Sequence, residues 1–105
     1  MPFILKKSKR KDKKYVVKDG TRTVHFGDDR YRDFTLMNDR NSKYYEANPN
    51  ERQRIKENYR RRHKGDNLEN PFSAGALSYY LLWNRPTLKQ SIKDYENKFN
   101  IKIKV

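Results

Sequence analysis

Residues 65–92 are the one stretch of this chain apolar enough to anchor a core. They read Gly-Asp-Asn-Leu-Glu-Asn-Pro-Phe-Ser-Ala-Gly-Ala-Leu-Ser-Tyr-Tyr-Leu-Leu-Trp-Asn-Arg-Pro-Thr-Leu-Lys-Gln-Ser-Ile. The spacing predicts a helix that starts at Asn70-Pro71 or Ser73 and is apolar on most sides through Leu77, Tyr80, Leu81 and Trp83-Asn84. Ala74, Gly75 and Ala76 are small enough to let another backbone approach closely. Arg85-Pro86 is expected to end the helix, because the residue before a proline is steered out of the α region. Thr87-Leu88-Lys89-Gln90 has the form of a capping box for the next helix. That helix carries Leu88, Ile92, Tyr95 and Phe99 on one stripe, and Asn100 is its stop. Tyr80, Leu81, Trp83, Ile92, Tyr95 and Phe99 are therefore the expected structural core.

Elsewhere apolar residues are scarce. Of 105 residues 33% are hydrophobic and 37% are charged, with a formal net charge of +13. The length suits one small domain with a modest buried fraction and a thin margin of stability. The 8 tyrosines and 5 phenylalanines compensate, since each aromatic ring buries a large area. So high a charge repels itself in the compact state and invites an anionic partner. Nucleic acid, an anionic membrane face and an acidic protein surface are the candidate classes. The absence of cysteine excludes disulfides and thiolate metal sites. No apolar run approaches the roughly 20 residues of a membrane span. Met1–Leu5 is too short for a signal-peptide core, and its charges follow it.

Residues 6–14 form a basic run, with Lys6, Lys7, Lys9, Arg10, Lys11, Lys13 and Lys14. The expectation is a basic N-terminal arm over 1–14, anchored by Phe3, Ile4 and Leu5, and a single compact domain over 15–105. Tyr15-Val16-Val17 and Thr21–Phe26 are β-rich, and Asp19-Gly20 between them signals a hairpin turn. Residues 30–38 lack periodicity and are expected as an ordered loop with, at most, a short strand. Asn48-Pro49-Asn50-Glu51 opens a helix, with Asn48 as N-cap, Pro49 at N1 and Glu51 at N3. It runs to about His63, with Gly65 as its stop. Its apolar face is narrow, Ile55 and Tyr59, and the rest is strongly basic. Ile101-Lys102-Ile103-Lys104-Val105 alternates strictly and reads as a terminal strand with lysines outward. The fold class is α+β: a small hairpin or sheet packed with about three helices.

No catalytic constellation emerges. His25 and His63 stand alone, on a strand face and at a helix end, and no metal-ligand spacing surrounds them. Asp28, Asp29 and Asp33 lack the spacing of a Ca²⁺ loop and are expected to pair with Arg30 and Arg32 or to cap turns. The glycines are isolated, so no phosphate loop forms. The chain reads as a non-enzyme without cofactor or small-molecule substrate. What remains is basic residues interleaved with aromatics: Tyr31-Arg32, Tyr44-Tyr45 and Tyr59-Arg60-Arg61-Arg62. Tyr59 is expected in the core. Lys6, Lys7, Lys9, Arg10, Lys11, Arg60, Arg61, Arg62 and Lys64 are the candidate residues for an anion or an acidic partner. Like charges one turn apart cost a few tenths of a kcal/mol each, and a thinly stable domain gains nothing by collecting them without a partner.

His25-Phe26-Gly27, Tyr31-Arg32-Asp33-Phe34-Thr35, Asp39, the Tyr59–His63 run, Leu81–Thr87 and Ser91-Ile92 resemble a small family of nucleocytoplasmic large DNA viruses of algae and protists. The likeness spans Tyr15 to Phe99, and the Leu-Leu-Trp-Asn-Arg-Pro-Thr segment is its most specific part. Asp66-Asn67-Leu68 stands where that family has Glu-Asn-Trp, Leu77 where it has tryptophan, and Met37 where histidine is common. These departures suit a structural family better than a catalytic one. The resemblance implies a viral protein and assigns no functional residue. The leading expectation is a minor capsid protein of the virion, cementing other capsid proteins on the inner face of the shell. The alternative is a sequence-nonspecific binder of nucleic acid, DNA or RNA, for packaging of the viral genome, with viral DNA as the candidate partner. Both place it in the virion, and in host cytoplasm or nucleus during assembly.

Overall fold

The computed structural model describes residues 2–105; Met1, the first residue of the expected arm, lies outside them. Strand β1 (Phe3–Lys7) alternates buried and exposed residues, with Phe3 and Leu5 in the core and Ile4 and Lys6 outside. It pairs antiparallel with β2 (Lys13–Asp19), and β2 pairs antiparallel with β3 (Arg22–Asp28). The β2–β3 turn is the expected one: Asp19 faces Arg22, and Gly20 sits between them at φ +62°. Positive φ at the first central position is the II′ requirement that glycine meets without strain.

Residues 1–14 do not form an arm where the structure describes them. Phe3–Lys7 is an inner strand of a four-stranded sheet of order β3-β2-β1-β4. Apolar alternation at Phe3 and Leu5 outweighs the charge of the lysines that follow. The chain then returns through a loop in which Asp12 adopts φ +65°. A domain boundary after residue 14 would cut β2. The terminal strand contracts to β4 (Ile103–Lys104) and pairs parallel with β1, Phe3 opposite Ile103 and Ile4 opposite Lys104. Lys102 and Lys104 face solvent, as the alternation predicts.

Helix α1 (Phe34–Met37) replaces the expected loop. Asp33 caps it, accepting from the Leu36 N–H at 2.9 Å, and Phe34 and Met37 turn inward. Helix α2 (Pro49–His63) starts as expected on Asn48, whose side chain accepts from the Asn50 and Glu51 N–H groups. The reciprocal half of the box is absent. Glu46 accepts from the Asn48 N–H, and Glu51 pairs with Arg54 instead. Gly65 does not stop α2 in a left-handed cap; Lys64 caps it in a right-handed conformation, and a turn from His63 to Asp66 follows.

Ser73 caps α3 (Ala74–Leu77), which runs into a π-helical segment (Ser78–Leu82). The helix ends at Leu82, before Arg85-Pro86. The wider π turn fits the burial of Tyr79, Leu81 and Leu82 together, with Trp83 just beyond. Helix α4 (Leu88–Phe99) is capped by Thr87 and closed by Asn100 at φ 53°, as expected, but the box is only half made: the Gln90 side chain accepts from the Thr87 hydroxyl instead of the Thr87 N–H. Helices lie on one face of the sheet. Leu81, Trp83 and Tyr95 belong to the core cluster with Phe3, Leu5, Val17 and Phe26, while Tyr80, Ile92 and Phe99 pack half-buried against it. The α+β class stands, with a larger sheet than a hairpin and one more helix than expected. Among the described residues no helix is long and apolar enough to cross a membrane.

Candidate functional site

Alternation along each strand decides which side chains leave the core. Because Phe3, Leu5, Val17 and Phe26 point to the helices, the residues between them occupy the opposite face. Register aligns Lys104, Ile4, Lys18 and Thr23 in one row across the four strands. The next row is Lys6, Val16 and His25. Val16 is buried yet stands outside the core cluster. Lys6, Lys18 and Lys104 are exposed. Arg10 and Lys13 lie near enough to His25 to act on its charge. His25 titrates below the usual imidazole range, first through burial of the ring and then through Arg10, Lys13 and Lys18. Its Nδ1 is 2.7 Å from the Ser8 hydroxyl. Among the described residues no carboxylate pairs with Lys6, Lys18, Lys104, Arg10 or Lys13. The result is an open, basic sheet face.

A second concavity lies at the other side of the sheet's end. It is a cleft of about 600 Å³ between the end of β3, the last turns of α2 and the start of α3. Its floor is apolar: Phe26, Ile55, Leu82 and Trp83. Tyr59 stacks on Trp83 with ring centroids 4.2 Å apart and planes within 7°, and His63 stacks on the other side of Tyr59 at 4.2 Å. Burial, aided by Asp66, pushes the Tyr59 hydroxyl up to about 12, so it stays neutral. His63 also bonds Asp66 at 2.9 Å. Gly27 forms part of the wall at φ +77°. A Cβ there would fall 2.8 Å from Leu82 and about 3.1 Å from the Lys14 stem. Lys14 runs past this gap to the buried Asp33 carboxylate at 2.6 Å, where Thr35 also donates. Lys14 is thus an internal cation, not an arm contact.

The candidate anion-binding residues are divided by the fold. Lys6 belongs to the open sheet face. Lys7 has the opposite parity and lines a shallow recess with Lys13, Lys14, Tyr15 and Asp33. Lys9, Arg10 and Lys11 sit exposed in the β1–β2 loop. Arg60 is not a free cation: it donates to the Trp83 carbonyl at 3.1 Å, and its guanidinium covers the Tyr79 ring at 4.3 Å. Arg61 turns back to Asn58 at 3.1 Å. Arg62 lines the cleft, and Lys64 is exposed at the helix end. Asp28 pairs with Arg30 as expected and is held down at about 2, chiefly by hydrogen bonds from Arg30.

Sequence reasoning missed Lys18, Lys104 and His25 as one surface, because strand register joins them. It also missed the cleft, where Lys13, Tyr31, Arg32, Arg62 and His63 meet from three segments.

A family model described as "Family of unknown function (DUF5754)" matches residues 3–46, less than half of the chain. The matched part runs from β1 through α1, to where the Glu46 N–H donates to the Met37 carbonyl at 3.0 Å. It contains the sheet face except Lys104, and one wall of the cleft. Neither a curated protein nor a solved structure was found to match the chain.

Proposed function

We propose that this protein binds nucleic acid without sequence selectivity through the open face of its sheet. The observation that carries this reading is Lys18 and Lys104 in one row and Lys6 in the next, with Arg10 in the adjoining loop, on a face where these cations have no carboxylate partner among the described residues. Lysines on a β surface present point charges on flexible stems, which suits phosphates and reads no base. Binding is driven by release of counterions, so it weakens steeply with salt. With about four such contacts the log–log slope on duplex DNA is about −3 to −4, at about −0.9 per contact. The test is duplex binding by fluorescence anisotropy across a salt series. A slope near that value supports the reading; no binding at low ionic strength rejects it. The resemblance to a family of large DNA viruses supplies the setting: a genome-handling protein of the virion, made in host cytoplasm or nucleus.

One feature favours a second reading as a minor capsid protein. Strand β3 is an edge of the sheet, and its free backbone groups are a template for a strand of another capsid protein. The paired β1 removes the need for a neighbour to order residues 3–7, so β3 is the better candidate contact. Quantitative mass spectrometry of opened virions separates the two readings. Recovery with the shell at stoichiometric copy number favours capsid cement, and recovery with the genome fraction, released by salt, favours DNA binding.

A further inference from the structure

The cleft beside β3 has no part in the sheet-face reading, and Lys13 belongs to the cleft. Its volume, about 600 Å³, lies within the range of sites that enclose small ligands. Its chemistry is divided in two. The floor is aromatic and aliphatic, with the His63–Tyr59–Trp83 ring stack and Phe26. The rim is cationic. Charged groups at or beside the cleft are already partnered: Lys14 with Asp33, Asp28 with Arg30, and Asp66 by its hydrogen bond to His63 Nδ1. After these pairings Lys13, Arg32 and Arg62 remain without an ion-pair partner among the described residues. Tyr31, beside Arg32 on the rim, is 65% exposed, an unusual position for so large a ring in a chain short of apolar surface. Both faces of Tyr59 are covered, so a planar ring meets the stack at its part-exposed His63 end, with Tyr31 nearby, and a phosphate fits the rim.

We infer that this cleft binds a nucleoside phosphate, its heterocycle against the His63 end of the ring stack and Tyr31, its phosphate on Lys13, Arg32 and Arg62. Either a free mononucleotide or the phosphorylated end of a strand supplies that chemistry. An inorganic anion alone uses only the rim, and an unphosphorylated nucleoside uses only the floor. Stacking on an aromatic face tolerates any base, so selectivity rests on the phosphate and not on base identity.

Trp83 is the single tryptophan and lies in the floor, so its fluorescence reports occupancy directly. The experiment titrates the full chain with adenosine monophosphate, adenosine and inorganic phosphate, and checks each constant by calorimetry. A saturable change with the monophosphate is expected, with adenosine and phosphate each at least about tenfold weaker. The double variant Arg32→Gln/Arg62→Gln is expected to weaken the monophosphate about tenfold or more, with its far-UV dichroism unchanged. Lys6→Ala/Lys18→Ala/Lys104→Ala is expected to leave it unaltered, which separates this site from the sheet face. A 5′-phosphorylated oligonucleotide that displaces the monophosphate while its 5′-hydroxyl counterpart does not identifies a strand end as the source. If neither displaces it, the free nucleotide is the source. No saturable binding of the monophosphate, or equal binding of phosphate alone, overturns the inference. So does full affinity in the folded Arg32→Gln/Arg62→Gln variant.

Discussion

The two faces of the sheet are made by the same strands and differ in almost everything else. On the inner face Phe3, Leu5, Val17 and Phe26 are nearly inaccessible and join one core with Leu77, Leu81 and Tyr95. On the outer face, one residue away along each strand, stand Lys6, Lys18 and Lys104. The inner face supplies the free energy that holds a thinly apolar chain together. The outer face adds repulsion and nothing to the core. A sheet with one solvated face ordinarily carries mixed polar residues there; a face of one charge sign exerts a field on anions. The difference teaches that strand register, not a flexible tail, gathers Lys6, Lys18 and Lys104 on one face.

The largest expected effect comes from adjacent residues on β1. Leu5→Ala removes a buried side chain and is expected to cost about 2–5 kcal/mol, seen as a drop in the urea midpoint. Lys6→Ala is expected to change stability by no more than about 0.5 kcal/mol while weakening duplex binding. Equal effects of both on stability would erase the distinction between the faces.

A smaller contrast lies within the α2 cluster. Arg60→Ala leaves the Trp83 carbonyl without its donor and uncovers Tyr79, so a loss of about 1–3 kcal/mol is expected. Arg61→Ala, which removes a surface hydrogen bond to Asn58, is expected to stay within about 0.5 kcal/mol. Denaturant melts of the pair decide whether the cluster is one binding surface or one structural arginine with exposed neighbours.

The smallest effect is the titration of His25. Its folded value lies below the unfolded one, so the neutral ring is favoured in the folded state. The linked penalty is absent above the ordinary imidazole value. It appears as pH falls through that value and is complete below the folded one. Phosphates on the face oppose the field of Arg10, Lys13 and Lys18, so added duplex is expected to raise the His25 value in an NMR titration. No change on saturation with DNA would place the duplex elsewhere.

How much of this was legible in the sequence depends on whether the signal was local. The caps at Asn48, Thr87 and Asn100 and the Asp19-Gly20 turn are local chemistry, and they hold. The one-turn helix α1 was passed over because four residues show no period, although Asp33 before Phe34 and Met37 is a capping signal. Strand β1 was hidden by the lysines that follow it. Its alternation at Phe3 and Leu5 gains meaning only beside β2 and β4. The π segment has no sequence period to read, since Leu81, Leu82 and Trp83 are all buried in succession. For the site, Lys6 and Arg10 were visible as members of a basic run. Lys18 and Lys104 were not, because only the pairing of Ile4 with both Lys18 and Lys104 brings them together. Arg60 looked like part of a surface and proved to be a packing residue, since nothing local announces its bond to a carbonyl 23 residues away.

The most direct test sets the two basic groups against each other in one assay. The salt dependence of duplex binding would be measured for the native chain, for Lys6→Ala/Lys18→Ala/Lys104→Ala, and for Arg61→Ala/Arg62→Ala/Lys64→Ala, each confirmed folded by its melting transition. The sheet variant is expected to lose about 2–3 units of slope, at about 0.9 per lysine, and the helix variant less than about 1. An unchanged slope in the folded sheet variant, with the loss in the helix variant instead, would contradict the open sheet face as the nucleic-acid surface.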